Sequence, residues 1–197
     1  MVDIDLELLP QTKRFRKLSL ALIFILSAAT SIYTLHAIKE RDIVYFFLYN
    51  NLLSLYLQTF VLLIIFGQIL KVRPIAVFLG IRKAETGLVK KLLQLILLDI
   101  LVMTVGLAIP YLLGVRHYFR WGSPALGSLL LFLHLLCFAL CAFFMILSLR
   151  VSHPWLIFII AIAVIMLYHY NLEQSTLLSK YSILFDPLYR ATHYIYF

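Results

Sequence analysis

The most constraining feature of this sequence is a series of long apolar runs separated by short charged segments. The chain has 197 residues, of which 63% are hydrophobic and 13% charged. A soluble domain is about half apolar and about a quarter charged. A helix needs roughly 20 consecutive apolar residues to cross the hydrocarbon core of a bilayer. The pattern therefore predicts an all-α integral membrane protein in which no segment has the composition of a separate soluble domain.

The apolar runs predict about five transmembrane helices in one bundle that covers residues 18–170. Residues 1–17, which precede the bundle, are polar and basic, and are predicted to form a cytoplasmic or interfacial segment on a negatively charged leaflet. The predicted helices are residues 18–38, 43–70, 92–114, 125–149 and 155–170.

The segment 71–91 is the most basic part of the chain, with six Lys or Arg residues against one acid. Pro74 suits the first turn of a helix, and Ile75, Phe78 and Leu79 would then share one apolar face. Arg73, Arg82 and Lys83 would lie around the rim of that face. We predict a short amphipathic helix here, followed by a turn and the third span.

The distribution of Lys and Arg gives the orientation. The basic segments at 13–17, at 71–91 and, weakly, at 150 fall on one side if the N-terminus is cytoplasmic. The chain is thus predicted to be a multi-pass protein of the cell membrane. Its net charge of +8 is concentrated at the ends of apolar runs, which indicates membrane anchoring and not nucleic-acid binding.

The C-terminal segment 171–197 does not fit a straight lipid-exposed span. It is rich in aromatic residues but contains Asp186, Pro187, Arg190 and His193. We predict an external segment that is re-entrant or lies at the membrane interface.

Several polar residues lie within the predicted spans, where they are expected to face protein or water. Asp99 is either a proton or substrate site, or a structural pair or water-facing contact near the cytoplasmic boundary, and the second interpretation is favoured. His134 is predicted to be satisfied by a neighbouring helix. Most other histidines are assigned to helix ends. The intramembrane candidates are Asn50, Asn51, Gln58, Asp99 and His134.

Motifs that carry catalysis or bind nucleotides are missing from the sequence. It contains no Walker A loop, no HExxH, no G-x-S-x-G and no paired Cys/His spacing typical of metal sites. Cys137 and Cys141 lie four apart in an apolar run and are interpreted as packing residues. We therefore predict no catalytic residue, no metal site and no cofactor in this chain.

The layout resembles the membrane subunits of ABC-2-type exporters. A very short turn at residues 39–42 joins two spans, and the run Arg82-Lys83-Ala84-Glu85-Thr86-Gly87-Leu88-Val89-Lys90-Lys91 leads into a third. The resemblance implies a coupling helix within 72–91 that docks on a separate nucleotide-binding ATPase, and a re-entrant hairpin after the fifth span. ATP and Mg²⁺ would bind to that partner, and a second copy or related membrane subunit would complete the pathway. The family has six spans, whereas a clear sixth is missing here.

The function implied by this resemblance is ATP-driven export, and a peptide, a lipid or a hydrophobic toxin are all compatible with it as substrate. One alternative is a non-transporting accessory or immunity protein, which would need neither a coupling helix nor a polar pathway. A second alternative is a small intramembrane enzyme built around Asp99 and His134, which no residue spacing supports.

Overall fold

The chain is a helical membrane protein. The computed structural model describes residues 10–37, 42–81, 85–115 and 118–193, and within them the side chains except those of 10–14, 75–81 and Glu85. Every regular element in this part is helical. The α-helices are α1 Pro10–Ala37, α2 Gln58–Ile81, α3 Glu85–Gly114, α4 Pro124–Phe144, α5 Pro154–Leu167, α6 Leu178–Tyr181 and α7 Pro187–His193.

Three π-helical and two 3₁₀ segments join or extend these helices. Pro124 and Pro154 occupy the first turns of α4 and α5, where the missing N–H of proline costs nothing. The π segments are Tyr45–Tyr49, Leu52–Leu57 and Tyr168–Leu177, and the 3₁₀ segments are Met145–Leu149 and Ile183–Phe185.

Five continuous helices in the described part are long and apolar enough to cross a membrane. This confirms the fold class and the number of spans predicted from the sequence. Large apolar side chains such as Ile25, Leu101, Ile159 and Leu167 face outward, as expected of surfaces in contact with lipid. The spans are span 1 (Phe15–Ala37), span 2 (Leu52–Pro74), span 3 (Thr86–Gly114), span 4 (Pro124–Leu149) and span 5 (Pro154–Tyr181).

Span 2 differs from its prediction at both ends. The sequence predicted one helix from residue 43, but the chain is extended at Asn50 (ψ 107°), which separates the first π segment from span 2. At the other end, α2 runs through Pro74 to Ile81, so the predicted helix start at Pro74 was wrong. The Arg73 guanidinium donates to the Val151 carbonyl at 2.7 Å and ties this turn to the loop after span 4.

Span 5 is longer than predicted. The sequence placed its end at residue 170, whereas the helix continues as a π segment and α6 to Tyr181. The predicted span stopped at residue 170 because three polar residues follow it, as is typical of a loop. They are Asn171, Glu173 and Gln174. In the structure Glu173 is fully buried among other polar side chains. The rest of the predicted tail, up to His193, forms the short elements that follow Tyr181.

Spans 1 and 3 pack closely through small residues. A Cβ atom on Gly106 would lie 2.9 Å from the Ser27 Cβ, and the Ser31 hydroxyl donates to the Leu107 carbonyl at 2.9 Å. The Ser27 and Ser31 spacing predicts such a face, because small residues allow helix backbones to approach. That prediction is confirmed.

The contacts between loops show which helix ends lie together. At one end, the Lys71 ammonium lies 3.1 Å from the centre of the Phe15 ring, and Arg73 reaches Val151. We call this end the basic end, and it is the end predicted to be cytoplasmic. It joins the start of span 1, the end of span 2 and the loop between spans 4 and 5, as alternation of the five spans requires.

The opposite end is held by Asp42, whose side chain is fully buried. We call it the Asp42 end. Because a buried carboxylate is costly unless it is hydrogen-bonded, its partners define a rigid junction between three parts of the chain. They are the backbone N–H groups of Val44 (2.9 Å), Tyr45 (3.2 Å), Arg120 (2.8 Å) and Trp121 (3.0 Å), and the Tyr181 hydroxyl (2.8 Å).

Candidate functional site

The candidate site is a cluster of polar side chains buried between spans 2, 4 and 5. Its centre is the carboxylate of Glu173, which has no exposed surface. The His134 Nδ1–H of span 4 lies 2.9 and 3.0 Å from the two carboxylate oxygens, and the His169 Nδ1–H lies 2.7 Å from one of them. Both rings therefore donate to one carboxylate, and within the described residues the ion-pair partners of Glu173 are these two histidines.

The second nitrogen of each ring faces an amide side chain. The Nε2 atoms of Gln58 and His134 are 2.6 Å apart. The His169 Nε2 lies 2.9 Å from Asn51 Oδ1 and 3.3 Å from Ser54 Oγ. These contacts link spans 4 and 5 to Ser54 and Gln58 of span 2 and to Asn51, which immediately precedes span 2.

Gln174 extends the cluster toward the first π segment. Its Nε2 donates to Asn51 Oδ1 at 3.1 Å and to the Tyr49 carbonyl at 3.5 Å, and lies 2.9 Å from His169 Nε2. Asn51 Oδ1 thus lies within hydrogen-bond distance of both Gln174 Nε2 and His169 Nε2.

Two π-helical segments meet at this cluster. Leu52–Leu57 carries Ser54, and Tyr168–Leu177 carries His169 and Glu173. A π-helix widens the turn, and such segments occur frequently at functional sites. In this π-helical segment His169 and Glu173 are four residues apart, and the His169 Nδ1 lies 2.7 Å from a Glu173 carboxylate oxygen.

The cluster lies in the half of the bundle nearest the Asp42 end. At 1.5 Å of rise per residue, His134 is about 15 Å from the start of span 4, and Glu173 is about 12 Å from the end of span 5. Both of those helix ends are at the Asp42 end. Asn51 immediately precedes span 2, so the cluster extends from the Asp42 end of the spans to about 15 Å within them.

Three of the five predicted intramembrane residues belong to this cluster. Gln58, Asn51 and His134 contact it directly, and the prediction that a neighbouring helix satisfies His134 is confirmed. Asn50 is adjacent, but its Oδ1 accepts from the Leu52 N–H at 3.0 Å and serves the backbone turn.

Asp99 is separate from the cluster and does not face water. Its side chain is fully buried in span 3, against Gln68 of span 2. Within the described part of the chain, neither carboxylate oxygen and neither polar atom of the Gln68 amide makes a hydrogen bond of normal geometry. The predicted water-facing contact was therefore wrong, whereas the Gln68 amide of span 2 is a structural neighbour of the Asp99 carboxyl group.

Two cluster residues were missed by the sequence analysis. His169 was assigned to a helix end, and Glu173 was placed in the tail, yet both have no exposed surface. A signal was present, because His169 and Glu173 are four residues apart and continue an apolar run. It was discounted because four polar residues between 169 and 174 look like the end of a span.

The predicted coupling residues lie mostly outside the described side chains. Arg73 is described and is partly buried against Val151. Nothing is described for Arg82 and Lys83, nor for the side chains of Ile75, Phe78 and Leu79. Beside this region, at the basic end, a cavity of about 350 Å³ is lined by Thr86, Val89, Lys90, Leu93 and Arg150.

In comparisons with protein-family models, curated proteins and solved structures, none of them matches this chain.

Proposed function

We propose that this chain is the membrane subunit of an ATP-driven exporter that works with a separate ATPase and a second membrane subunit. The observation that carries the proposal is the polar cluster around Glu173. Ionisable residues inside a membrane are costly and mark the pathways of substrates or ions. This cluster joins three spans inside the bundle, and a rearrangement of the helices would alter it.

The basic end supplies the second part of the proposal. Helix α2 runs beyond span 2 to Ile81, so it projects from the bundle at the side that we propose to be cytoplasmic. The cavity lined by Lys90 and Arg150 opens at the same end. A partner ATPase that docks on residues 72–91 would push on α2 and α3, and α2 leads directly to Gln58 in the cluster.

An accessory or immunity protein remains a second candidate because of one observation. The polar atoms of the cluster bond largely to one another, as they would in a bundle whose helices do not move. Such a protein would bind its target without an ATPase.

A pull-down separates the two candidates. The full chain, purified from its native membrane in a mild detergent, is expected to bring down an ATPase whose hydrolysis it stimulates. Phe78→Glu is expected to release that ATPase and abolish the stimulation, because a charge on an apolar docking face costs binding energy. Leu188→Glu is the matched control, since Leu188 is an exposed apolar residue beyond the opposite end of the bundle.

Two results would count against the exporter. An ATPase that stays bound and fully stimulated in Phe78→Glu removes residues 72–91 from the coupling role. No ATPase with the unmodified chain, under conditions that preserve the bundle, favours the accessory protein.

A further inference from the structure

The chain contains a set of three buried side chains of the types that bind transition metals. One ligand atom from each of His134, His169 and Glu173 lies within 4.8 Å of the other two. His169 and Glu173 have no exposed surface, and His134 is 8% exposed. Two histidines and one glutamate form the protein ligand set of open, four-coordinate zinc sites, in which the fourth position is left to a non-protein ligand.

Each histidine Nδ1 lies at a distance from the Glu173 carboxylate that is close to what a zinc ion requires, and all three ligand atoms lie within 4.8 Å of one another. Both Nδ1 atoms lie 2.7–3.0 Å from a carboxylate oxygen. In a tetrahedral site with bonds of about 2.1 Å, ligand atoms are about 3.4 Å apart. A zinc ion bound to the two Nδ1 atoms would need each of them to lie roughly 0.5 Å farther from the carboxylate oxygens, which small side-chain rotations supply.

The side chains that contact the Nε2 atoms of the two histidines are of the kinds that orient histidine ligands in zinc sites. A histidine that binds a metal through Nδ1 donates its Nε2–H to an oxygen acceptor. His169 already has such an acceptor in Asn51 Oδ1, at 2.9 Å.

Gln58 provides an independent observation. Its Oε1 is buried and has no hydrogen-bond partner in the described residues, while its Nε2 faces the His134 Nε2. A 180° rotation of the amide would let Oε1 accept a proton from His134 Nε2. That contact requires the tautomer whose Nδ1 is free to bind a metal.

The environment also favours a cation. Glu173 is a buried acid whose ion-pair partners in the described part are imidazoles, and an uncompensated charge in a membrane is costly. The Tyr168 hydroxyl is likewise buried without a partner there, and its ring centre lies 6.4 Å from that of His134.

We propose that His134, His169 and Glu173 bind one Zn²⁺ ion inside the membrane bundle, with Gln58 and Asn51 orienting the two histidines. This site does not depend on the exporter proposal, because an accessory protein could hold the same ion. The step involves no redox change: each imidazole binds zinc through Nδ1 as the tautomer that carries its proton on Nε2, so the proton moves within the ring and none is released.

The test uses the full chain in detergent, purified with a tag that contains no histidine or cysteine. The protein is stripped with a chelator, reloaded from a zinc buffer and analysed for metal by mass spectrometry. We expect about one zinc per chain and a higher melting temperature with zinc. Gln58→Leu should weaken zinc binding about 10- to 100-fold, and Glu173→Gln should weaken it further.

His153→Ala is the matched control, because His153 is an exposed histidine and its loss should change neither zinc content nor melting temperature. If Glu173→Gln does not fold, His169→Gln takes its place. The proposal is overturned if the folded wild-type chain retains no more zinc than the variants of His134, His169 or Glu173. It is also overturned if His153→Ala removes the zinc, since that would assign the ion to the surface.

Discussion

At the scale of single residues, two buried carboxylates in this protein occupy opposite situations. Glu173 accepts hydrogen bonds from two histidines on two spans. Asp99 is equally buried, but its oxygens make no hydrogen bond among the described residues. The first holds helices together, whereas the second places a carboxyl group in the bundle beside the Gln68 amide, with no hydrogen bond of normal geometry in the described residues. Their replacement should therefore have opposite effects on stability.

Glu173→Ala is expected to lower the free energy of unfolding by about 3–5 kcal/mol, because it leaves two buried Nδ1–H groups without an acceptor. The measurement is unfolding by SDS in mixed micelles, with a chelator present so that metal plays no part. Glu173→Gln should cost less, since its amide oxygen still accepts one of the two bonds. An alanine variant as stable as the wild type would contradict this account of the cluster.

Asp99→Asn is expected to leave the free energy of unfolding unchanged or to raise it by up to about 2 kcal/mol, because a carboxyl group is costly inside a membrane. The same SDS titration measures it. We also expect ATPase stimulation to be retained, because we assign no catalytic or transport role to Asp99. A correctly inserted, stable variant without stimulation would show that Asp99 is functional.

The sequence alone identified His134 and Gln58 as intramembrane polar residues, but it could not predict that they meet. They are 76 positions apart, and only the packing of spans 2 and 4 brings them together. His169 and Glu173 are only four residues apart, so their contact could have been predicted from the sequence. It was missed because polarity was taken as the end of a span, although a polar helix segment is stable when it faces other polar groups.

At the scale of helices, spans 1 and 3 approach each other closely. A Cβ atom on Gly106 would lie 2.9 Å from the Ser27 Cβ and 3.1 Å from the Phe24 carbonyl oxygen. By contrast, nothing lies within 4 Å of a Cβ placed on Gly67 of α2. The two glycines are thus a matched pair inside helices, one constrained by a neighbour and one not.

Gly106→Ala is expected to destabilise the bundle by roughly 1–2 kcal/mol, because the added methyl group forces spans 1 and 3 apart. Gly67→Ala should instead stabilise it by up to about 1 kcal/mol through helix propensity. The melting temperatures of the two variants in one detergent provide the comparison. Equal shifts of the same sign would show that the spans 1 and 3 contact is looser than described.

Element boundaries were harder to predict than element number. The five apolar runs fixed the number of spans, because no other structure buries so many apolar residues in a chain of this length. The break at Asn50 and the π-helical end of span 5 depend on side-chain contacts between spans, which hydropathy does not report. Pro74 was given too much weight, since transmembrane helices tolerate proline where a neighbouring segment supports the turn.

At the scale of the whole molecule, the loop contacts divide the helix ends into two groups. Phe15, Lys71, Arg73 and Val151 lie at the basic end, and Asp42 marks the other. This grouping agrees with alternating spans, and the distribution of positive charge then predicts that the basic end is cytoplasmic.

Cysteine labelling tests that orientation. In a background without Cys137 and Cys141, a cysteine at position 83 should resist a membrane-impermeant reagent in intact cells, and a cysteine at position 186 should react. Both should react after permeabilisation. Strong labelling at 83 in intact cells would invert the topology.

The way the cluster is divided among the spans has a consequence for biosynthesis. Gln58 and His134 enter the bilayer with spans 2 and 4, before the ribosome has delivered Glu173. Until span 5 inserts, His134 lacks its carboxylate partner, and polar groups in that state are held poorly by lipid. The nascent bundle is therefore incomplete until its last span arrives, and that arrival also delivers Tyr181 to Asp42. A chain that ends a few tens of residues early would leave His134 without the Glu173 carboxylate and Asp42 without the Tyr181 hydroxyl. We expect membrane proteases to distinguish such a chain from the finished protein by these polar groups.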